Sequence, residues 1–192
     1  MPIRRIAVTG GPGAGKTTLW RELSAAHVDR VVAVPEVATL MFQHVFPSVK
    51  CEAERRAVQS AIFHVQRQLE SVHEIRADED RILLCDRGTV DGGGYWPEGH
   101  RVFFEQMATS WQAELERYDA VLFLESAAVG GLSIDAGNSV RHEDLAQAVA
   151  IDTRLREVWS SHPRFCHVPH ARSFVDKLSA GRAAFVNLLL RT

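Results

Sequence analysis

A chain of 192 residues with 46% apolar and 24% charged side chains can build a domain with a real hydrophobic core, and its balance is that of a globular protein rather than a disordered or fibrous one. A formal charge of −2, with no basic cluster longer than an arginine pair, argues against nucleic acid or an anionic membrane as partner. Cys51, Cys85 and Cys166 lack metal-ligand spacing, no signal peptide is expected before the first strand and no apolar stretch approaches bilayer length, so a reducing cytoplasmic setting is expected.

The first apolar run, Arg5 to Thr9, predicts a strand. Directly after it, Gly10-Gly11-Pro12-Gly13-Ala14-Gly15-Lys16-Thr17 fits the pattern G-x-x-x-x-G-K-[ST], the phosphate-binding P-loop. Glycines let the backbone wrap a phosphate chain with its N–H groups inward. Lys16 can reach the terminal phosphates and the Thr17 hydroxyl can hold Mg²⁺. Leu19, Trp20 and Leu23 follow at helical spacing, and a helix starting near Lys16 adds the positive end of its dipole. Nucleoside triphosphate and Mg²⁺ are therefore expected to bind through Gly11, Gly13, Ala14, Gly15, Lys16, Thr17 and Thr18.

Further strands are predicted at Val31 to Val34, Arg81 to Cys85, Ala120 to Leu124 and Arg164 to Val168. They are near-continuous apolar runs, as for parallel strands covered on both faces. Helical periodicity spans 52–76, with Val58, Ile62, Val65, Leu69 and Val72 on one stripe, and recurs over 101–117, 142–160 and 172–190. Alternating strands and helices predict a three-layer α/β fold in a single domain, 1–192. Two segments fit no regular element and are candidate mobile loops. Gly88 to His100, with Gly92-Gly93-Gly94, is a candidate substrate loop. Ser126 to Val140 belongs to a candidate lid region, 126–156.

In such sheets ligands bind beyond the carboxyl ends of the strands. The first strand ends in the P-loop, the second in Pro35-Glu36, the third in Asp86-Arg87. Asp86, closing an apolar strand, is the expected Mg²⁺ carboxylate of the Walker B position; the alternative is a turn cap. Arg87 could clamp transferring phosphate oxygens or form a surface salt bridge. Hydrolases and motors commonly place Glu after that Asp to activate water, so Arg at position 87 favours a kinase-like site. Glu36 then becomes the residue to hold or deprotonate the acceptor, against the alternative of a first-turn acid on the next helix. Asp91, Tyr95 and Trp96 are candidate acceptor contacts, with ordinary loop structure as the alternative. Arg141, Arg154 or Arg156 could supply a lid cation, Arg141 being the first choice. Pro169 to Arg172 follows the last strand, where the base would rest. No Asn/Thr-Lys-x-Asp guanine motif occurs.

The P-loop segment Ile6 to Leu19, Val34-Pro35-Glu36-Val37-Ala38, Phe63-x-x-Gln66, Cys85-Asp86-Arg87-Gly88-Thr89-Val90-Asp91 with Tyr95, and the stretch from Arg141 to Pro169 together resemble a small P-loop ATPase and kinase-like group labelled AAA domains. That group is related in fold to nucleoside and nucleotide kinases and includes ribosylnicotinamide-kinase-like domains. The resemblance covers nearly the whole chain. It implies a nucleotide-kinase-like α/β/α fold with a five-stranded parallel sheet of order 2-3-1-4-5, and ATP rather than GTP as nucleotide. No second helical domain or sensor region accompanies it, so the label carries no hexameric-motor mechanism. In the lid no clear arginine pair of the nucleotide-kinase kind is present.

Two functions follow from the site as read. The first is a Mg²⁺-dependent phosphotransferase that moves the γ-phosphate of ATP to an unidentified small-molecule acceptor. The second is a nucleotide-binding switch or slow NTPase acting on a protein partner. A deep polar pocket beside Glu36 and Asp91 would favour the first, an exposed apolar patch near the loops the second.

Overall fold

The structure, a computed structural model, describes residues 4–78, 80–131 and 144–190. Five parallel strands form one sheet: β1 Arg5–Thr9, β2 Val31–Val34, β3 Ile82–Asp86, β4 Ala120–Leu124 and β5 Phe165–Val168, in the order β2-β3-β1-β4-β5. β1 is central, pairing Ala7 with Cys85 on one side and with Val121 on the other. The order 2-3-1-4-5 is the one the resemblance implies.

Side chains alternate across the sheet. Ile6, Val8, Leu84 and Leu122 pack on α1 (Lys16–Ala26) and α8 (Phe174–Leu190). Ala7, Leu83, Cys85, Val121 and Phe123 pack on the opposite layer, built from α3 (Glu52–Arg76), α5 (His100–Gln106) and α7 (Leu145–Ser160). The three inner strands, β1, β3 and β4, are therefore buried on both faces, which is why they are largely apolar, while the edge strands β2 and β5 are half-buried. The remaining helices are α2 (Val37–His44), α4 (Asp91–Tyr95) and α6 (Trp111–Leu115). No helix among the described residues is long and apolar enough to cross a membrane.

Three elements differ from expectation. The helix expected over 101–117 is two helices, α5 and α6. Ala108 takes a φ of 51°, and the Ser110 hydroxyl caps α6 by accepting from the Ala113 N–H at 3.1 Å. The segment 88–100, expected to be irregular and mobile, contains a helical turn packed into the interior. A Cβ on Gly92 would meet the Phe103 ring at 2.3 Å and one on Gly94 would meet Leu155 at 2.7 Å. These glycines bring α4 onto α5 and α7 rather than loosening a loop. Helix α7 begins at Leu145, where Asp144 and Gln147 form a reciprocal capping box. Of the candidate lid, Ala127–Gly130 forms a 3-10 turn; residues 132–143, Arg141 among them, lie outside the described residues.

Candidate functional site

The P-loop joins β1 to α1. Gly10 has a φ of 135° and lies so close to β4 that a Cβ would meet the Leu124 carbonyl oxygen at 1.9 Å. Gly15, at a φ of 84°, is the N-cap of α1 and supplies no side-chain cap. The first N–H groups of that helix are thus left for a ligand anion. Lys16 is buried, and its ammonium donates to the Gly11 carbonyl at 2.7 Å.

Asp152 fixes the outer side of the loop. Its Oδ1 accepts from the Gly11 N–H at 2.9 Å and from the Ser126 N–H at 2.8 Å, joining the P-loop, the end of β4 and α7. Burial raises its carboxyl above the ordinary value, against the two backbone N–H groups and Lys16. Sequence reasoning passed over Asp152. The available signal was an acid on the buried stripe of Ala148, Ile151, Leu155 and Trp159. It also missed Phe174, whose ring lies against Gly15, and Lys177, which donates to the Glu125 carbonyl. Burial pushes the Lys177 ammonium down to about 8, with Asp152 and Glu125 opposing it. Around Glu125 the C-terminal ends of β4 and β5 carry a polar cluster. Arg156 approaches it at 3.3 Å, and the His170 N–H and Nδ1 lie at 3.0 and 2.7 Å. Arg156, one candidate lid cation, is thus paired with Glu125.

Asp86 ends β3 and is 1% exposed. Burial raises its carboxyl from 3.8 to about 6, helped by the neighbouring Glu36 and opposed by Lys16, a Thr17 hydrogen bond and Arg87. Its Oδ1 is buried without a hydrogen-bond partner. An orphaned carboxylate oxygen is costly, and beside the Thr17 hydroxyl it is a hard oxygen donor of the type Mg²⁺ takes. No group of three or more His, Cys, Asp or Glu side chains that could hold a metal occurs among the described residues. The donor set therefore suits an ion shared with phosphate oxygens and water rather than one caged by protein alone.

Arg87 follows at a φ of 72°, unusual for a residue with a Cβ. This turn delivers its guanidinium to two carboxylates: Nε to Glu36 Oε1, and Nη1 to Asp91 Oδ2 at 2.9 Å. It also lies over the Tyr95 ring, 5.5 Å from its centroid. Burial acts to lower its pKa, but Tyr95, Glu36 and Asp91 outweigh it, and the guanidinium stays charged. The second Glu36 oxygen accepts from the Thr39 hydroxyl at 2.6 Å. Asp91 Oδ1 accepts from Thr9 at 2.7 Å and from the Trp159 indole at 2.6 Å, so α4 is anchored to the end of β1 and to α7.

Glu36, Arg87, Asp91 and Tyr95 line one cleft of about 690 Å³, bordered by α2, α3, α4 and α7. Four residues singled out separately in the sequence thus face a common space. Arg154, on α7, lines it as well.

A P-loop with its lysine, a buried strand-end aspartate and a parallel sheet of order 2-3-1-4-5 define a nucleotide-binding P-loop protein. The chain belongs to the AAA-domain family, whose model matches residues 5–175. No curated protein matches the sequence.

Proposed function

We propose that this protein is a Mg²⁺-dependent phosphotransferase that moves the γ-phosphate of ATP to a small-molecule hydroxyl acceptor. The observation that carries the reading is the cleft of about 690 Å³ bringing Glu36, Arg87, Asp91 and Tyr95 together. A switch acting on a protein needs no such cleft with a cluster of charged side chains beside its phosphate site. The strained backbone at Arg87 supports the same reading, since such strain persists where a side chain must be held for function.

In this reading the N–H groups of the P-loop and of the first turn of α1 cradle the β- and γ-phosphates. Lys16 exchanges its bond to the Gly11 carbonyl for phosphate oxygens. Thr17 and Asp86 would hold Mg²⁺, which would supply charge neutralisation on the phosphates. Glu36 accepts the proton of the acceptor hydroxyl as its oxygen bonds to the γ-phosphorus and ADP leaves. Arg87, pinned by Asp91, holds the Glu36 carboxylate in its orientation. The test is a screen of metabolite pools with γ-labelled ATP. A labelled product other than free phosphate is expected; release of free phosphate alone, with every pool, would refute the transferase and leave a slow NTPase.

A further inference from the structure

The cleft has a graded lining. Along α3 the residues facing it are Arg55, Gln59, Phe63 and Gln66, one helical stripe that passes from an exposed arginine to a nearly closed floor. Phe63 is 2% and Gln66 3% exposed. From Arg55 to Gln66 the helix advances about 16 Å. Across from it, α7 presents Ile151 and Arg154 to the same space.

The charges divide in the same way. At the floor, Arg87 is already bound to both Glu36 and Asp91. At the rim, Arg55 and Arg154 have no carboxylate partner among the described residues. The acids nearest Arg55 in sequence are engaged elsewhere: Glu52 lies 3.7 Å from Arg56, and Glu54 accepts from the Lys50 N–H at 2.7 Å. Two arginines from different helices thus line one cleft with no carboxylate among the described residues to compensate their charge. Between these charges the lining includes the apolar side chains of Phe42, Ile62 and Ile151 and the Tyr95 ring.

We infer that the acceptor has two polar ends: a hydroxyl set against Glu36 and, across an apolar or ring-shaped body, an anionic group, phosphate or carboxylate, held by Arg55 and Arg154. The inference rests on the phosphotransferase reading of the same cleft. The anion is remote from the reacting hydroxyl, because the cations line the rim while Glu36 belongs to the Arg87 cluster. Guanidinium groups suit either anion, since their paired donors match both carboxylate and phosphate oxygens.

The experiment measures binding calorimetrically in Mg²⁺ and a non-hydrolysable ATP analogue, with probe pairs that differ only in the anion. 4-(Hydroxymethyl)phenyl phosphate is set beside 4-(hydroxymethyl)phenol for phosphate, and 4-(hydroxymethyl)benzoate beside 4-(hydroxymethyl)benzamide for carboxylate, each with its hydroxyl and its anion at opposite ends of a ring. The anionic member of at least one pair is expected to bind ~10–100-fold more tightly than its neutral counterpart, the range of a hydrogen bond to a charged group. The pair that shows the preference identifies the anion. R55Q and R154Q should each remove most of it, the neutral member serving as internal control and a thermal melt reporting the fold. Equal binding of both members in both pairs, including none, would overturn the inference, as would a preference that survives the double variant. Transfer of label to an uncharged acceptor at full rate would overturn it while leaving the phosphotransferase standing. Anion-dependent, arginine-dependent binding would uphold the anion end of the cleft, while release of free phosphate alone from every metabolite pool would remove the phosphotransferase and with it the identification of the bound anion as an acceptor.

Discussion

Replacing Asp86 by asparagine is expected to stabilise the nucleotide-free protein at neutral pH while weakening its response to Mg²⁺. The carboxyl is 1% exposed, has an unpartnered oxygen and titrates at about 6 instead of 3.8. Across that interval the folded protein keeps a proton that the unfolded chain has already released. Stability therefore falls as pH rises from about 4 to about 6 and levels off above. A shift of that size, at ~1.4 kcal/mol per unit, means that ionised Asp86 costs the empty fold up to about 3 kcal/mol at pH 7. The asparagine side chain retains the shape and an oxygen for the Thr17 hydroxyl but carries no charge to desolvate. Urea denaturation in the presence of chelator, with wild type and Asp86→Asn compared at pH 7 and near pH 4, reads the difference. The variant should be the more stable at neutral pH, and the gap should close in acid. In a Mg²⁺ titration at fixed ATP the order reverses, the variant requiring more metal. A variant no more stable than wild type at pH 7, or a gap that persists near pH 4, would refute the argument from burial.

Lys16→Ala should weaken Mg·ATP binding by ~1.5–3 kcal/mol, the range for a hydrogen bond to a charged group; unchanged affinity in a calorimetric titration would remove the phosphate role of the loop. Glu36→Gln should slow transfer ~10²–10⁴-fold with ATP affinity retained. Because Glu36 is bound to Arg87 and Thr39, a melting curve must accompany the kinetics, and parallel loss of stability and ATP binding would make Glu36 structural. Gly10→Ala should cost at least ~2 kcal/mol of stability, since its Cβ would collide with the Leu124 backbone and its φ is positive; a wild-type denaturation midpoint would show that β1 and β4 can part at this point.

The sequence by itself determined the sheet and the phosphate site, because both rest on local patterns. Buried parallel strands must be apolar at nearly every position, so Arg5–Thr9 and Ala120–Leu124 stand out with their bounds. A phosphate loop needs particular residues at fixed spacing, so Lys16, Thr17 and the glycines are legible in one short run of the chain. The triple glycine was harder, because sequence shows the absence of a side chain but not what fills the space; here Phe103 and Leu155 do. Only the tertiary structure decided that Arg87 bridges Glu36 and Asp91, that Asp152 ties the P-loop to the end of β4, and that Arg55 and Arg154 border the same cleft. Those contacts join residues up to 141 positions apart. Their geometry depends on how α3, α4 and α7 pack on the sheet, and no short-range propensity encodes it.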